Sequence, residues 1–308
     1  MKSWLVWVGA LLVAISVFAW WAVFDGAAPA RAPGEFDLAA YRALVADDGQ
    51  ETLPTAVRIE FVGESQAPSF AAEAGALDGN RTFSYNSLQI VAPGGDTIID
   101  GAVDSDTLDS MTQAKGVFSD ASYGRVLAAM TRASQVMITH EHLDHVMAVA
   151  RHPDPEALAP RLRLTRPQLD GLPQHAPGGV LAPAIAAAEP LDLSTPRHIA
   201  PGIVAAAAPG HSPGTEVIFV RTNAREYLFI GDIVWVMSSL EHAHGRPRFI
   251  RWIMPGVDPG RARVLAQIRA LHDIAAVEPG LVIVPAHDDA YLRGLVASGV
   301  LTEGFASP

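Results

Sequence analysis

Residues 136–145 impose the tightest constraint on this chain. Val136-Met137-Ile138-Thr139 is an apolar run of strand length, and it leads directly into His140-Glu141-His142-Leu143-Asp144-His145. Three imidazoles and the Asp144 carboxylate fall within six residues. Ordinary packing has no use for that density of histidine, whereas neutral imidazole is the commonest metal ligand and carboxylates complete such sites. A fold that uses the cluster must end a strand near residue 139 and hold the following turn at a sheet edge, where the sites of open α/β sheets lie.

Three further apolar runs end in a metal-capable residue at a Gly or Pro turn. His211 follows Ile203–Ala208 within Pro209-Gly210-His211-Ser212-Pro213-Gly214, Asp232 follows Leu228–Gly231, and His287 follows Val282–Pro285. Five of the eleven histidines therefore stand at strand ends, a recurrence that single loop histidines do not explain. Two divalent ions need about seven protein ligands with a position left for water. His140 and His142 are two residues apart and point the same way on an extended segment. Asp144 and His145 lie on the turn into a helix and can face a second ion, and a carboxylate such as Asp232 can bridge two cations with one oxygen each.

The remaining pattern is that of an α/β chain. Strands are expected over 56–62, 87–91, 97–100, 203–208, 217–220, 227–230 and 281–284, with a turn at Pro93-Gly94-Gly95-Asp96 pairing the second and third as a hairpin. Arg161-Leu162-Arg163-Leu164 reads as a further short strand. Helices are expected over 123–132 and 143–151, and from Asp258-Pro259 onward, with Asp258 as N-cap and Pro259 at the first helical position.

Trp4 to Phe24 is an apolar run able to cross a hydrocarbon core of about 30 Å as a helix. Two roles fit it. One is an uncleaved membrane anchor with Trp20 and Trp21 at the interface; the other is a signal peptide cleaved near Ala28-Pro29-Ala30. Either places the globular part outside the cytoplasm, anchored on the cytoplasmic membrane or exported to the periplasm. The expected organisation is 1–25 anchor or signal, 26–54 linker and short helix, and 55–308 the globular domain that carries the metal-capable residues. The formal net charge of −11 argues against nucleic acid as a partner, which needs a basic surface. Arg246 and Arg248, with Arg251, form the densest basic group and read as solvated surface. The absence of cysteine removes disulfides, thiolate metal sites and cysteine nucleophiles.

His-Glu-His-Leu-Asp-His at 140–145 resembles the His-x-His-x-Asp-His motif of the metallo-β-lactamase-fold hydrolases. The segments Pro209–Gly214, Gly231-Asp232 and Pro285–Asp288 are similar to that superfamily's later motifs, and Ile98-Ile99-Asp100-Gly101 is similar to its early supporting aspartate. The resemblance spans roughly residues 56 to 290. It implies an αββα sandwich with a dinuclear zinc site at one edge. One ion would be held by His140, His142 and His211, the other by Asp144, His145 and His287, with Asp232 bridging. It further implies hydrolysis of an ester, lactone or amide in a small molecule by a metal-bridging hydroxide, with Asp144 orienting it or moving a proton to the leaving group.

Within that superfamily, an aspartate at the bridging position resembles the lactonase, glyoxalase and phosphodiesterase branches more than the true β-lactamases. Trp235 departs from the acyl-homoserine lactonases, which have a tyrosine there. Trp235 and Trp252 read either as pocket aromatics that touch substrate or as core packing, and His242 and His244 as substrate contacts or, more readily, a solvated loop. Glu141 is expected to point away from the ions. His152, His175, His198 and His272 read as structural. The alternative readings are a β-lactamase or phosphodiesterase branch of the same fold, and a non-catalytic binding protein stabilised by its metal. The chain is silent on oligomeric state.

Overall fold

The computed structural model describes residues 3–32 and 34–306. Two sheets face each other. The first contains β1 (Ala56–Pro68), β2 (Asn80–Val91), β3 (Thr97–Ile99), β4 (Val117–Phe118), β5 (Gln135–Met137) and β11 (Thr302–Glu303), in the order β11-β1-β2-β3-β5 with β4 paired to β1. The second contains β6 (Arg197–Ala200), β7 (Ile203–Ala207), β8 (Glu216–Arg221), β9 (Glu226–Gly231) and β10 (Leu281–Pro285), in the order β10-β9-β8-β7-β6. β1–β2 and β2–β3 are antiparallel and β3–β5 is parallel; in the second sheet only β9–β10 is parallel. In the second sheet β7, β9 and β10 therefore run in the same sense, so the residues that follow them lie at one edge.

The period of two along each strand builds three apolar layers. Val57, Ile59, Ile99, Met137, Ile218 and Phe229 fill the space between the sheets. Ile98, Val136 and Ile138 turn outward against α3 (Asp120–Arg132) and α4 (Leu143–Ala150) through Val126, Met130, Val146 and Val149. On the other side Val217, Phe219, Leu228 and Ile230 pack against α7 (Arg261–Val277) through Val264, Ile268 and Leu271. The result is the expected αββα sandwich.

Helix α1 (Ser3–Val23) leaves its apolar surface exposed until the last turn, where Ala22 is buried. There the chain enters the domain. Phe249 N–H donates to Ala22 O at 3.2 Å, Gly245 N–H to Gly26 O at 2.7 Å and Ala28 N–H to Ala243 O at 2.9 Å. The Arg261 guanidinium donates to Asp25 O at 2.6 Å. The following segment carries α2 (Leu38–Leu44), whose Leu38 and Tyr41 join the second sheet's outer core.

Two local expectations fail. Residues 161–164 form no strand: Ala159–Arg161 is a 3-10 turn, and only an isolated bridge links Leu162 to Val136. Asp258 caps no helix: α7 begins at Arg261 after Gly260, and Asp258 is buried in the left-handed region at φ 51°. Short apolar and Asp-Pro signals do not distinguish these outcomes, because burial of the Asp258 side chain against distant partners decides the backbone.

Glu216 opens β8 facing the inter-sheet space. Both its carboxyl oxygens are buried without a hydrogen-bond partner. Burial first, and the Asp100 charge second, push this carboxyl well above its usual value. A folded-state value above the unfolded one means that unfolding releases a proton at neutral pH, so stability falls as pH rises above about 4.3, by about 1.4 kcal/mol per unit until the folded value is reached. Glu216→Gln removes that dependence. Thermal melts between pH 5 and 8 should show the variant gaining on the parent as pH rises, by at least about 1 kcal/mol at the upper end; parallel curves would show that Glu216 does not titrate this way.

Candidate metal centre

The strand ends converge on two groups of side chains: His140, His142, His211 and Asp232, and Asp144, His145, Asp232 and His287. Within each, one donor atom per residue lies within 4.8 Å of the others. In the first, His142 Nδ1 stands 3.0 Å from His140 Nε2 and 2.9 Å from His211 Nε2. In the second, His145 Nε2 and His287 Nε2 are 3.2 Å apart, and Asp144 Oδ2 is 3.3 Å from His287 Nε2. Donors set about 2.0–2.1 Å from a zinc ion in a tetrahedron stand about 3.3 Å from one another, so these spacings suit a shared cation.

Asp232 belongs to both groups. Its Oδ2 faces His140 Nε2 at 3.8 Å and His211 Nε2 at 3.5 Å, while Oδ1 faces His145 Nε2 at 3.4 Å and His287 Nε2 at 3.0 Å. Oδ1 is buried with no hydrogen-bond partner. A buried, unpartnered carboxylate oxygen aimed at two imidazole nitrogens is costly unless a cation meets it. That orphaned atom, with the donor set around it, fits a pair of divalent metal ions.

Three of the five imidazoles are held from behind by a carboxylate or carbonyl. His145 Nδ1 lies 2.9 Å from Asp100 Oδ2, and Asp100 also accepts from the N–H and hydroxyl of Thr139. His211 Nδ1 lies 2.9 Å from Asp258 Oδ1, which also accepts from Arg246 at 2.5 Å. His287 Nδ1 lies 2.9 Å from Ser84 O. Such partners settle the tautomer and leave Nε2 free to bind. Both supporting carboxylates, Asp100 at φ 63° and Asp258 at φ 51°, occupy the left-handed region, which aspartate tolerates better than most residues. Gly231 is also left-handed, and a Cβ there would meet the Thr139 side chain at 2.8 Å.

Charge is divided between the groups. Burial and the neighbouring histidines hold His140 well below its usual pKa and His142 at about 4, the neutral form a ligand needs. Burial opposes protonation of His145 and His287 too, but Asp100, Asp232 and Asp144 outweigh it and raise His145 to about 10 and His287 well above its usual value. Asp144 is brought down to about 2, burial being overcome by His145 and His287.

The other candidates lie elsewhere. Trp235 sits behind Asp232 rather than along an open wall: its indole N–H donates to Asp232 Oδ2 at 2.7 Å, and the Arg246 guanidinium stacks on it at 4.8 Å. His242 pairs with Glu73 at 2.6 Å and His244 with Ala74 O at 3.1 Å, and neither belongs to the two groups. Trp252 is exposed against α1. Glu141 does point away, and it has a function there. Its carboxylate accepts from Ser212 Oγ at 2.8 Å and Gly214 N–H at 3.0 Å, tying the 209–214 loop to the 140–145 turn. Arg246, read from the sequence as solvated, is buried between Asp258 and Trp235. Asp258 and Arg246 carry no sequence signal for this role, because nothing in their spacing points to His211. Asp288 caps the helix α8 (Asp289–Ala297) and accepts from Met237 N–H.

Solved structures share this architecture. An N-acyl homoserine lactone hydrolase, solved with the product N-hexanoyl-L-homoserine at its catalytic metal centre, superposes with a TM-score of 0.56 at 14% identity, covering 79% of this chain and 96% of that one. A probable metal-dependent hydrolase from Staphylococcus aureus gives 0.57 at 12% identity, covering 77% and 91%. A dizinc quorum-quenching lactonase with the same product gives 0.53 at 12% identity, covering 78% and 90%. No protein-family model and no curated protein sequence matches the chain. The likeness establishes the metallo-β-lactamase fold.

Burial would raise the Asp258 pKa, but Arg246 and His211 hold it well below the carboxylate range. Its stabilisation is present above the unfolded value near pH 4 and lost as pH falls toward the folded one. Asp258→Ala leaves Arg246 buried without its counter-charge. Urea denaturation should show a loss of about 3–5 kcal/mol; a loss under about 1 kcal/mol would mean the pair is solvated in solution.

Proposed function

We propose that this chain of metallo-β-lactamase fold is a membrane-anchored, two-metal hydrolase that cleaves an ester, lactone or amide bond in a small molecule, with a lactone favoured. Asp232 carries the reading, because one buried carboxylate offers one oxygen to each of two histidine groups. His140, His142 and His211 would hold one ion and Asp144, His145 and His287 the other. Imidazole and carboxylate donors at tetrahedral spacing favour zinc. The lactone preference is supported by the solved neighbours that carry a homoserine product.

When bound, the ions supply a water of lowered pKa and Lewis-acid polarisation of the scissile carbonyl. The chain's own side chains do the rest. Asp144 and His142 are the least buried members of the two groups and mark the mouth. Asp144 stays ionised at neutral pH and can accept a proton near the mouth and pass it to a leaving group. Trp235, Asp100 and Asp258 hold Asp232, His145 and His211 in place before substrate arrives, so no reorganisation is needed during reaction. Tyr85 packs its ring 5.4 Å from His287, with its phenol kept protonated by burial, and closes the side of the second group.

An uncleaved α1 is favoured over an exported form. Cleavage near Ala28-Pro29-Ala30 would remove the Ala22, Asp25 and Gly26 carbonyls that accept bonds from the domain, together with the Asp25–Arg248 ion pair. The catalytic domain would then sit on the outer face of the cytoplasmic membrane.

Metal analysis of the purified full-length chain should find about two transition-metal ions per chain, and His142→Ala should lose metal and nearly all turnover while keeping its circular dichroism. Less than one equivalent in a folded sample ends the two-metal reading. Binding must also displace protons from His145 and His287, so zinc affinity for the stripped protein should fall as pH falls from about 10. Calorimetry in buffers of different ionisation enthalpy should show release of about one or more protons; heats independent of buffer would refute this.

A further inference from the structure

The end of α1 and residues 248–263 form one continuous surface. Trp252, on the short helix α6 (Ile250–Ile253), stacks on Phe18 with ring centroids 5.9 Å apart and planes 6° from parallel, and meets Trp21 at 6.1 Å. Arg248 lies 4.9 Å over the Trp21 ring and pairs with Asp25. Beyond these contacts the surface is open: Trp252, Ile253 and Met254 are 55%, 65% and 41% exposed. Consecutive large apolar side chains left in water mark a surface that meets something else. They adjoin the one described helix long and apolar enough to cross a bilayer.

Beside them Arg248, Arg251, Arg261 and Arg263 line an open depression of about 520 Å³. Arg248 pairs with Asp25 and Arg263 with Glu35, while Arg251 is exposed. Arg261 is buried, and counted against Asp25 and Glu35 the four guanidinium groups still leave this face net positive in a chain whose formal net charge is −11. Apolar side chains flanked by arginine match the head-group boundary of an anionic bilayer. The same segment borders the candidate centre. A Cβ on Gly256 would stand 3.9 Å from His142 Nε2, and Asp258 N–H donates to His211 O at 3.0 Å.

We infer that residues 248–263 are a second membrane contact, bedding Trp252, Ile253 and Met254 into an anionic bilayer beside α1. The mouth at His142 and Asp144 then opens along the lipid surface, and the substrate is an amphiphile drawn from the membrane. The substrate half rests on the hydrolase reading above; the membrane contact does not.

The chain has no cysteine, so Ile253→Cys and Val277→Cys each give a single labelling position, the second at the far end of α7. Full-length protein carrying a nitroxide at either position is reconstituted into phosphatidylcholine–phosphatidylglycerol vesicles. The label at 253 should be more accessible to oxygen than to a water-soluble nickel chelate, and the label at 277 the reverse. Aqueous accessibility at 253 equal to that at 277 overturns the contact. Separately, Ile253→Glu should slow turnover of a long-chain acyl lactone embedded in the vesicles about tenfold, leaving a water-soluble short-chain lactone unaffected. Equal effects on the two overturn the substrate half. If the unaltered chain turns over neither lactone, the lactone preference fails and the substrate half with it, while the label depths still decide the contact.

Discussion

The structure is organised around a buried carboxylate that is not satisfied by protein alone. Asp232 has four imidazole nitrogens around it and an oxygen with no donor. In a low-dielectric interior such an arrangement is expensive unless positive charge is supplied. Protons can supply part of it, since the surrounding carboxylates outweigh burial and raise His145 and His287 above the usual imidazole value. Two divalent ions would supply it in full and replace the protons, which ties metal uptake, pH and stability to one residue. Trp235, Asp100, Asp258 and Arg246 follow from the same constraint, since each holds a donor in the position the charge requires.

The sheets make the convergence possible. The residues that follow β5, β7, β9 and β10 supply both ligand groups. Glu141 ties the turn after β5 to the loop after β7, so the first ligand group is braced by a carboxylate that never faces it. The N-terminal helix is joined to the same edge. Its last turn and the residues just after it, 22–28, bond to residues 243–249 and 261, next to the segment backing His211. Anchor and centre therefore share a support, and the orientation of one relative to the other is set by hydrogen bonds and ion pairs at residues 22–28.

How much was legible follows from the range of each interaction. Val136–Thr139 before His140, and the runs before His211, Asp232 and His287, announce both strand and donor, because apolar periodicity and residue type are local properties. The αββα layering was legible only through the resemblance that these motifs carry, since periodicity alone gives an α/β chain. Asp258 was not. Its neighbours suggest a helix cap, and only burial against Arg246 and His211 turns it inward at a positive φ. Trp235 likewise looked like a pocket aromatic, since nothing in its neighbours shows that its N–H meets Asp232.

By itself, then, the amino-acid order determined which residues stand at strand ends and which of them have metal-binding chemistry, and it determined a spanning-length helix at the N-terminus. Only the tertiary structure decided which donors share a group, that Asp232 divides its oxygens between two of them, and that the end of α1 and the residues just after it bond to residues 243–261 beside the centre. Strand ends are specified by short-range hydrophobic pattern. Pairings across 47 residues, such as His211 with Asp258, are decided by which side chains the packed sheets bring within about 3 Å, a distance at which a hydrogen bond forms and one residue further along the chain would miss.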